Sequence, residues 1–128
     1  MVIDSSAIMA ILLWEPEAPL FGRLIKADPT RLISSVTSLE IALVASSRKK
    51  GGGEDWDQLR RDMDLTEVAF TAEHAEVSRR AWLRFGKGNH AARLNLADCC
   101  AYATARLARE PLLYKGDDFA KTDIRSAS

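Results

Sequence analysis

Apolar residues fall along this chain in two patterns. Short, nearly continuous runs alternate with longer stretches in which apolar positions recur every three or four residues. Met1-Val2-Ile3, Arg31-Leu32-Ile33-Ser34, Glu67-Val68-Ala69-Phe70 and Pro111-Leu112-Leu113-Tyr114 are runs of the first kind and predict short buried strands. Between them the spacing predicts helices. One covers Ala7 to Leu13, with Ser5 or Ser6 as its cap. The next starts at Glu15-Pro16-Glu17, where a proline and two acids suit a first turn, and ends near Ala27, before Asp28-Pro29. Another opens at Thr37 or Ser38, carries Ile41, Val44 and Ala45 on one face, and closes on Arg48-Lys49-Lys50 and a triple glycine. Trp56, Leu59 and Met63 mark a helix over Glu54 to Leu65, Thr71 caps one that runs to Phe85, and Leu96 to Arg109 is alanine-rich. Gly86 to Asn95 is left as a loop and Gly116-Asp117-Asp118 as a turn. Short strands alternating with helices predict an α/β fold with a mostly parallel sheet. In such folds the functional site lies beyond the carboxyl ends of the strands.

A length of 128 residues suits a single domain over the whole chain, and 47% hydrophobic with 28% charged residues is an ordinary globular composition. Eighteen basic residues balance eighteen acidic ones, which excludes a strongly basic nucleic-acid coat protein but leaves room for a local basic patch. The two cysteines, Cys99 and Cys100, are neighbours and cannot form a disulfide framework, so a reducing, cytoplasmic setting is expected. The apolar N-terminus is interrupted by Asp4 and lacks a basic leader, and no stretch is long enough to span a membrane.

Most acids sit beside basic neighbours on predicted helix surfaces, among them Asp55, Asp57, Asp62, Glu73 and Glu76. Four locations differ. Asp4 ends the first strand and reads either as a helix cap or as a cation ligand. Glu40 follows Thr37 at capping-box spacing, but it also begins a helix after a strand. Asp98 opens an otherwise apolar helix between Ala97 and Cys99. Asp117 and Asp118 follow the last strand, where aspartate is also a common turn residue, and Asp123 is a weaker candidate behind them. Parallel strands bring these positions to one edge. Clustered carboxylates repel unless a cation neutralises them. His74 and His90 are isolated and the cysteines lack metal spacing, so zinc is disfavoured, whereas an all-oxygen set suits Mg2+ or Mn2+. Such ions activate water against phosphoesters. A second feature hints at the substrate. Arg79 to Arg93 holds no acid but contains Arg79, Arg80, Arg84, Lys87, His90 and Arg93, with Trp82 and Phe85 among them. Lys87 and Arg93 suit phosphate contacts, and the aromatics either fill the core or stack on bases.

Four segments resemble one family: Met1-Val2-Ile3-Asp4-Ser5-Ser6-Ala7-Ile8, Ser38-Leu39-Glu40, Leu96-Ala97-Asp98-Cys99-Cys100-Ala101-Tyr102-Ala103, and Leu112-Leu113-Tyr114-Lys115-Gly116-Asp117-Asp118-Phe119. Their order and spacing, from Met1 to about Asp123, are similar to those of PIN-domain ribonucleases, and more narrowly to the VapC toxins of VapBC toxin–antitoxin modules. The resemblance implies a three-layer α/β/α fold and an endoribonuclease that uses Mg2+ or Mn2+ to cut RNA and arrest translation. It also implies a VapB-type antitoxin as partner, a homodimer, and no role at a membrane. Asp4, Glu40 and Asp98 then occupy the family's acid positions. The family's Gly-Asn-Asp-Phe places the fourth at Asp118, with Asp117 at the asparagine. Asp4 and Asp98 would bind the ion directly, and Glu40 and Asp118 would bind a second ion or position water. Ser6 would hold a substrate phosphate or orient Asp4. Ser5 stands where threonine is usual, and Cys100 where phenylalanine is common. Two alternatives remain at this stage. One is a PIN-like domain that binds RNA or protein without cutting. The other is an Mg2+-dependent phosphatase-like domain, for which Lys115 would be a poor stand-in for the required lysine.

Overall fold

The computed structural model describes residues 1–128. Four strands, β1 (Val2–Ile3), β2 (Leu32–Ser34), β3 (Thr66–Val68) and β4 (Leu112–Leu113), form one sheet in the order β3-β2-β1-β4. Every pairing is parallel, with Val2 opposite both Leu32 and Leu112, and Ile33 opposite Glu67. The helices are α1 (Ser5–Leu12), α2 (Ala18–Ala27), α3 (Ser35–Arg48), α4 (Gly52–Asp62), α5 (Ala72–Phe85) and α6 (Leu96–Ala108), followed by one 3-10 turn over Phe119–Lys121. None is long and apolar enough to cross a membrane.

The period-two alternation of the strands sorts side chains into two cores. Ile3, Ile33 and Leu113 face a core shared with Ile8, Phe21, Ile41 and Trp56, from α1 to α4. Val2 and Leu112 face a second core with Ala81, Phe85, Tyr102 and Phe119, from α5, α6 and the chain beyond β4. The result is the expected three-layer α/β/α arrangement. β1 and β4 are buried on both faces, which is why they read as apolar runs rather than as alternating ones.

Helix starts differ from the sequence reading in informative ways. Asp4, not Ser5 or Ser6, caps α1: its carboxylate accepts from the Ser6 amide at 3.0 Å. Glu15-Pro16-Glu17 is a turn before α2, which places Pro19 in the first turn instead. Ser34 caps α3 by accepting from the Val36 amide at 3.2 Å, so Thr37 and Ser38 lie inside the helix and are buried. Glu40 therefore sits in the second turn, and the Thr37–Glu40 capping box does not form. The triple glycine belongs to a corner between α3 and α4 rather than to a helix tail. Gly51 is left-handed at φ 73°, and a Cβ on Gly52 would stand 2.0 Å from the Ala45 carbonyl oxygen. That close approach lets α4 begin two residues before Glu54. β3 ends at Val68, and the Phe70 amide is spent on the Ser35 hydroxyl at 3.1 Å, so Ala69 and Phe70 leave the sheet.

Candidate active site

Four parallel strands end at one edge of the sheet, and the chain delivers one acid to that edge from each of four segments. Asp4 follows β1 directly. Glu40 lies in the second turn of α3, which begins where β2 stops. α6 runs back to feed β4, so its first turn, with Asp98, sits over the same edge. Asp118 lies in the turn after β4. Gly116, at φ 95°, reverses the chain there, and Phe119 is buried against Tyr114 with ring centroids 5.2 Å apart, which pins Asp118 beside it.

Two of the four carboxylates, those of Asp4 and Asp98, are held while one oxygen of each stays free. Asp4 is 4% exposed, and Oδ2 takes both of its hydrogen bonds, from the Ser6 amide at 3.0 Å and the Ser6 hydroxyl at 2.6 Å. The Ser6 hydroxyl accepts in turn from the Lys115 amide at 2.9 Å, which ties the β4 turn to α1. Ser6 thus spends its proton on Asp4. Asn95 and Asp98 form a reciprocal capping box: Asn95 Oδ1 accepts from the Asp98 amide at 2.9 Å, and Asp98 Oδ2 from the Asn95 amide at 3.0 Å. Oδ1 of both Asp4 and Asp98 carries no hydrogen bond, and Glu40 and Asp118 make no side-chain hydrogen bond or ion pair. Asn95 and the Lys115 amide are contributions that the sequence reading missed. Asn95 was legible, because asparagine three residues before an acid is a capping-box variant; a backbone amide from a distant loop leaves no trace in sequence.

Burial pushes the Asp4 carboxyl up to about 6, against the pull of the two Ser6 hydrogen bonds, and the negative charges of Asp98 and Glu40 add to the rise. Asp98 is raised by burial first, then by Asp118 and Glu40, with the Asn95 amide opposing. Four of the five predicted acids therefore feel one another through space. Asp117 is exposed and is not among the charges acting on Asp4 or Asp98, and neither is any basic side chain. Lys115 points away, paired with Glu15 and, at 3.2 Å, with Glu17. No three of the carboxylates are drawn together tightly enough to ligate an ion as they stand. The donors still fit a hard divalent cation: every one is an oxygen, and the unpaired oxygens sit in a like-charged cluster with no protein cation.

The basic stretch divides. Glu76 holds Arg79 at 3.0 Å and Arg80 at 3.3 Å, and Arg84 pairs with Asp123 at 3.0 Å. Asp123 also accepts from the Tyr102 hydroxyl at 2.6 Å, so it fastens α6 to the C-terminal segment and is no member of the cluster. Phe85 is buried at 5% exposure, which removes it as a stacking surface; Trp82, at 44%, remains one. His90 is used inside the loop, where Nδ1 accepts from the Ala92 amide at 2.9 Å and the ring packs edge-on against Phe85. Lys87 and Arg93 are exposed on the same loop and make no ion pair.

The family model of the PIN domain matches residues 1–125. The chain belongs to the PIN-domain family. Within that family it is 42% identical over 125 residues to a protein of Mycolicibacterium smegmatis named Ribonuclease VapC, covering 97% of each chain. It is 41% identical over 129 residues to Ribonuclease VapC30 of Mycobacterium tuberculosis, covering 100% of this chain and 98% of that one. Among solved structures, Mycobacterium tuberculosis VapC20, described as a sarcin-ricin loop cleaving toxin, superposes with TM-score 0.74 over 96% of this chain and 95% of that one at 16% identity. A toxin–antitoxin complex from Klebsiella pneumoniae gives TM-score 0.70 at 21% identity, covering 95% and 92%. At such identities the two structures speak to the fold alone, which this PIN domain shares with VapC20.

Proposed function

We propose that this VapC-type ribonuclease, the toxin of a toxin–antitoxin pair, cleaves RNA internally with Mg2+ or Mn2+ held by Asp4, Glu40, Asp98 and Asp118. The supporting observation is the donor set itself: four carboxylates within one another's fields, oxygens left free on each, and no protein cation to neutralise them. Bound there, a divalent ion supplies an acidified water and stabilises the charge that develops on a phosphodiester under attack. The chain's own residues do the rest. Asp4 and Asp98 would hold the ion, while Ser6 and Asn95 bind one oxygen of each carboxylate and so fix its plane. Glu40, with no hydrogen bond to restrain it, orients the attacking water and accepts its proton. Asp118 closes the cluster from the β4 turn. Ser6 acts as a positioning residue, because its single proton already belongs to Asp4. Lys87 and Arg93, together on the loop beyond α5, hold RNA phosphates beside the cut.

The pair would work in the cytoplasm, where Cys99 and Cys100 stay reduced, as a homodimer in one folded domain restrained by a VapB-type antitoxin. The Klebsiella pneumoniae neighbour, itself a toxin–antitoxin complex, supports that partner. The phosphatase-like reading loses its lysine, since Lys115 is committed to Glu15 and Glu17.

Purified protein given a mixed cellular RNA should produce fragments in Mg2+ or Mn2+ and none in chelator. Sequencing the new 5′ ends would name the target. Asp98→Asn should lower cleavage by roughly 100-fold or more while leaving the circular dichroism spectrum intact. Wild-type rates in that variant would sink the site assignment.

A further inference from the structure

Beside the acid cluster the surface opens into an apolar groove of about 560 Å³, lined by Val36, Phe70, Ser78, Trp82, Leu96 and Cys100 among others. Its walls are continuous with the site. Val36 lies one turn before Glu40 on α3, and Leu96 lies two residues before Asp98 on α6. Trp82, on α5, links the groove to the basic loop. Its carbonyl oxygen accepts from the Gly86 amide at 2.7 Å and from Asn89 Nδ2 at 3.2 Å. A Cβ on Gly86 would stand 2.5 Å from the Trp82 Cδ1, so glycine lets the loop lie against one edge of the indole. The remainder of the ring is open: Trp82 is 44% exposed and Leu96 is 80% exposed. Acids, groove and the unpaired cations Lys87 and Arg93 therefore follow one another along one continuous surface.

We infer that this groove seats an unpaired base of the RNA substrate, stacked on Trp82, next to the phosphodiester that is cut. A nucleotide carries a charged phosphate and, within a few bonds, a flat ring with apolar faces. The phosphate belongs over the cation-binding acids and the neighbouring phosphates over Lys87 and Arg93, which leaves the base to the apolar surface between them. Arg79 also lines the groove, but its guanidinium is engaged by the Glu76 carboxylate at 3.1 and 3.0 Å, which leaves Ser78 as the chief uncharged polar group. Its hydroxyl proton is already given to the His74 carbonyl at 2.7 Å, so Ser78 can accept but not donate. A groove so poor in hydrogen-bonding groups grips a base by stacking and reads its identity weakly. It also selects against duplex RNA, whose bases are not free to enter. The inference rests on the proposed metal-dependent cleavage and adds to it the site that recognises single-stranded substrate.

The test is a kinetic split with an independent binding readout. On a short unpaired oligoribonucleotide in Mg2+, Trp82→Ala should raise KM by roughly 5- to 150-fold, the loss typical when a stacking aromatic is removed, with the damage on KM rather than kcat. Trp82→Phe should recover most of it. In chelator, where nothing is cut, the same oligoribonucleotide should quench tryptophan emission of a Trp14→Phe protein, and should not quench it once Trp82 is also Phe; the remaining Trp56 is buried. An unchanged KM in Trp82→Ala overturns the inference. So does an unchanged KM accompanied by a new oligomeric state or weaker antitoxin binding, which would make the groove a protein-docking surface. Failure of the wild-type protein to cleave any RNA strikes the proposed function instead, and the quenching in chelator still decides the groove.

Discussion

One carboxylate at Asp4 is both the cap of α1 and the most buried acid of the cluster, and the two roles have opposite costs. Capping stabilises the helix start; burial of a like-charged group does not. Its carboxyl titrates at about 6 in the folded chain against an ordinary 3.8. Between those values the folded protein keeps a proton that the unfolded chain has lost, so the stability Asp4 contributes is complete below the lower value and is lost as pH rises through the upper one. Asn caps equally well and cannot ionise. Without metal, Asp4→Asn should therefore gain on wild type as pH rises from 4 to 7, by at most about 3 kcal/mol, read from urea melts in chelator. A difference that stays flat with pH would mean that Asp4 is well solvated. At the β4 turn, Asp118→Asn should harm cleavage more than Asp117→Asn, because only Asp118 acts on Asp98 through space. Equal or reversed losses in kcat would move the fourth role to Asp117.

Elements decide what single residues cannot. α6 delivers Asp98 to the edge because it runs antiparallel to the strand it feeds, and its capping box fixes which residue faces the site. The acid-free interval from Arg79 to Arg93 looked uniform in sequence, but the fold splits it. On α5 three arginines are neutralised by Glu76 and Asp123, whereas the loop beyond keeps Lys87 and Arg93 unpaired. Replacing both loop residues with Ala should weaken RNA binding and flatten its salt dependence by roughly 0.7 in slope for each lost phosphate contact. Mn2+ binding should be untouched. An unchanged slope in a titration at several salt concentrations would show that the loop is only a solvated surface.

At the scale of the molecule the acid cluster is a strained assembly that binding of a cation would relieve. Any ligand that binds the folded state alone raises its stability by mass action, about 2.7 kcal/mol at a hundred times the dissociation constant. Mn2+ should therefore raise the melting temperature of the wild type, and it should raise that of Asp98→Asn much less. In chelator the variant should melt no lower than wild type, since one of the mutually repelling charges is gone. Equal Mn2+ shifts in the two proteins would place the ion elsewhere.

Patterns that are local in the chain were legible without a structure. The alternation of short apolar runs with amphipathic stretches predicts six helices and four parallel strands, because strands buried on both faces must read as continuous apolar runs. The odd acids at strand ends marked the edge where a site belongs, and the motifs around Asp4, Glu40, Asp98 and Asp118 resembled one family. What waited for the tertiary structure depends on groups far apart in sequence. Thr37–Glu40 matched a capping box, yet Ser34 begins the helix, because β2 carries the chain into it without a break. Asp117 and Asp118 stood equal as turn residues, and only the family resemblance favoured Asp118; the structure adds that Phe119 is buried beside it and that Asp118, not Asp117, acts on Asp98 through space. Trp82 and Phe85 shared one stretch and one pair of readings, and packing alone put Phe85 inside and left Trp82 at the groove. Burial, partner and charge are properties of the space around a residue, and that space is assembled by segments a hundred residues away, as the Ser6 hydroxyl and the Lys115 amide show.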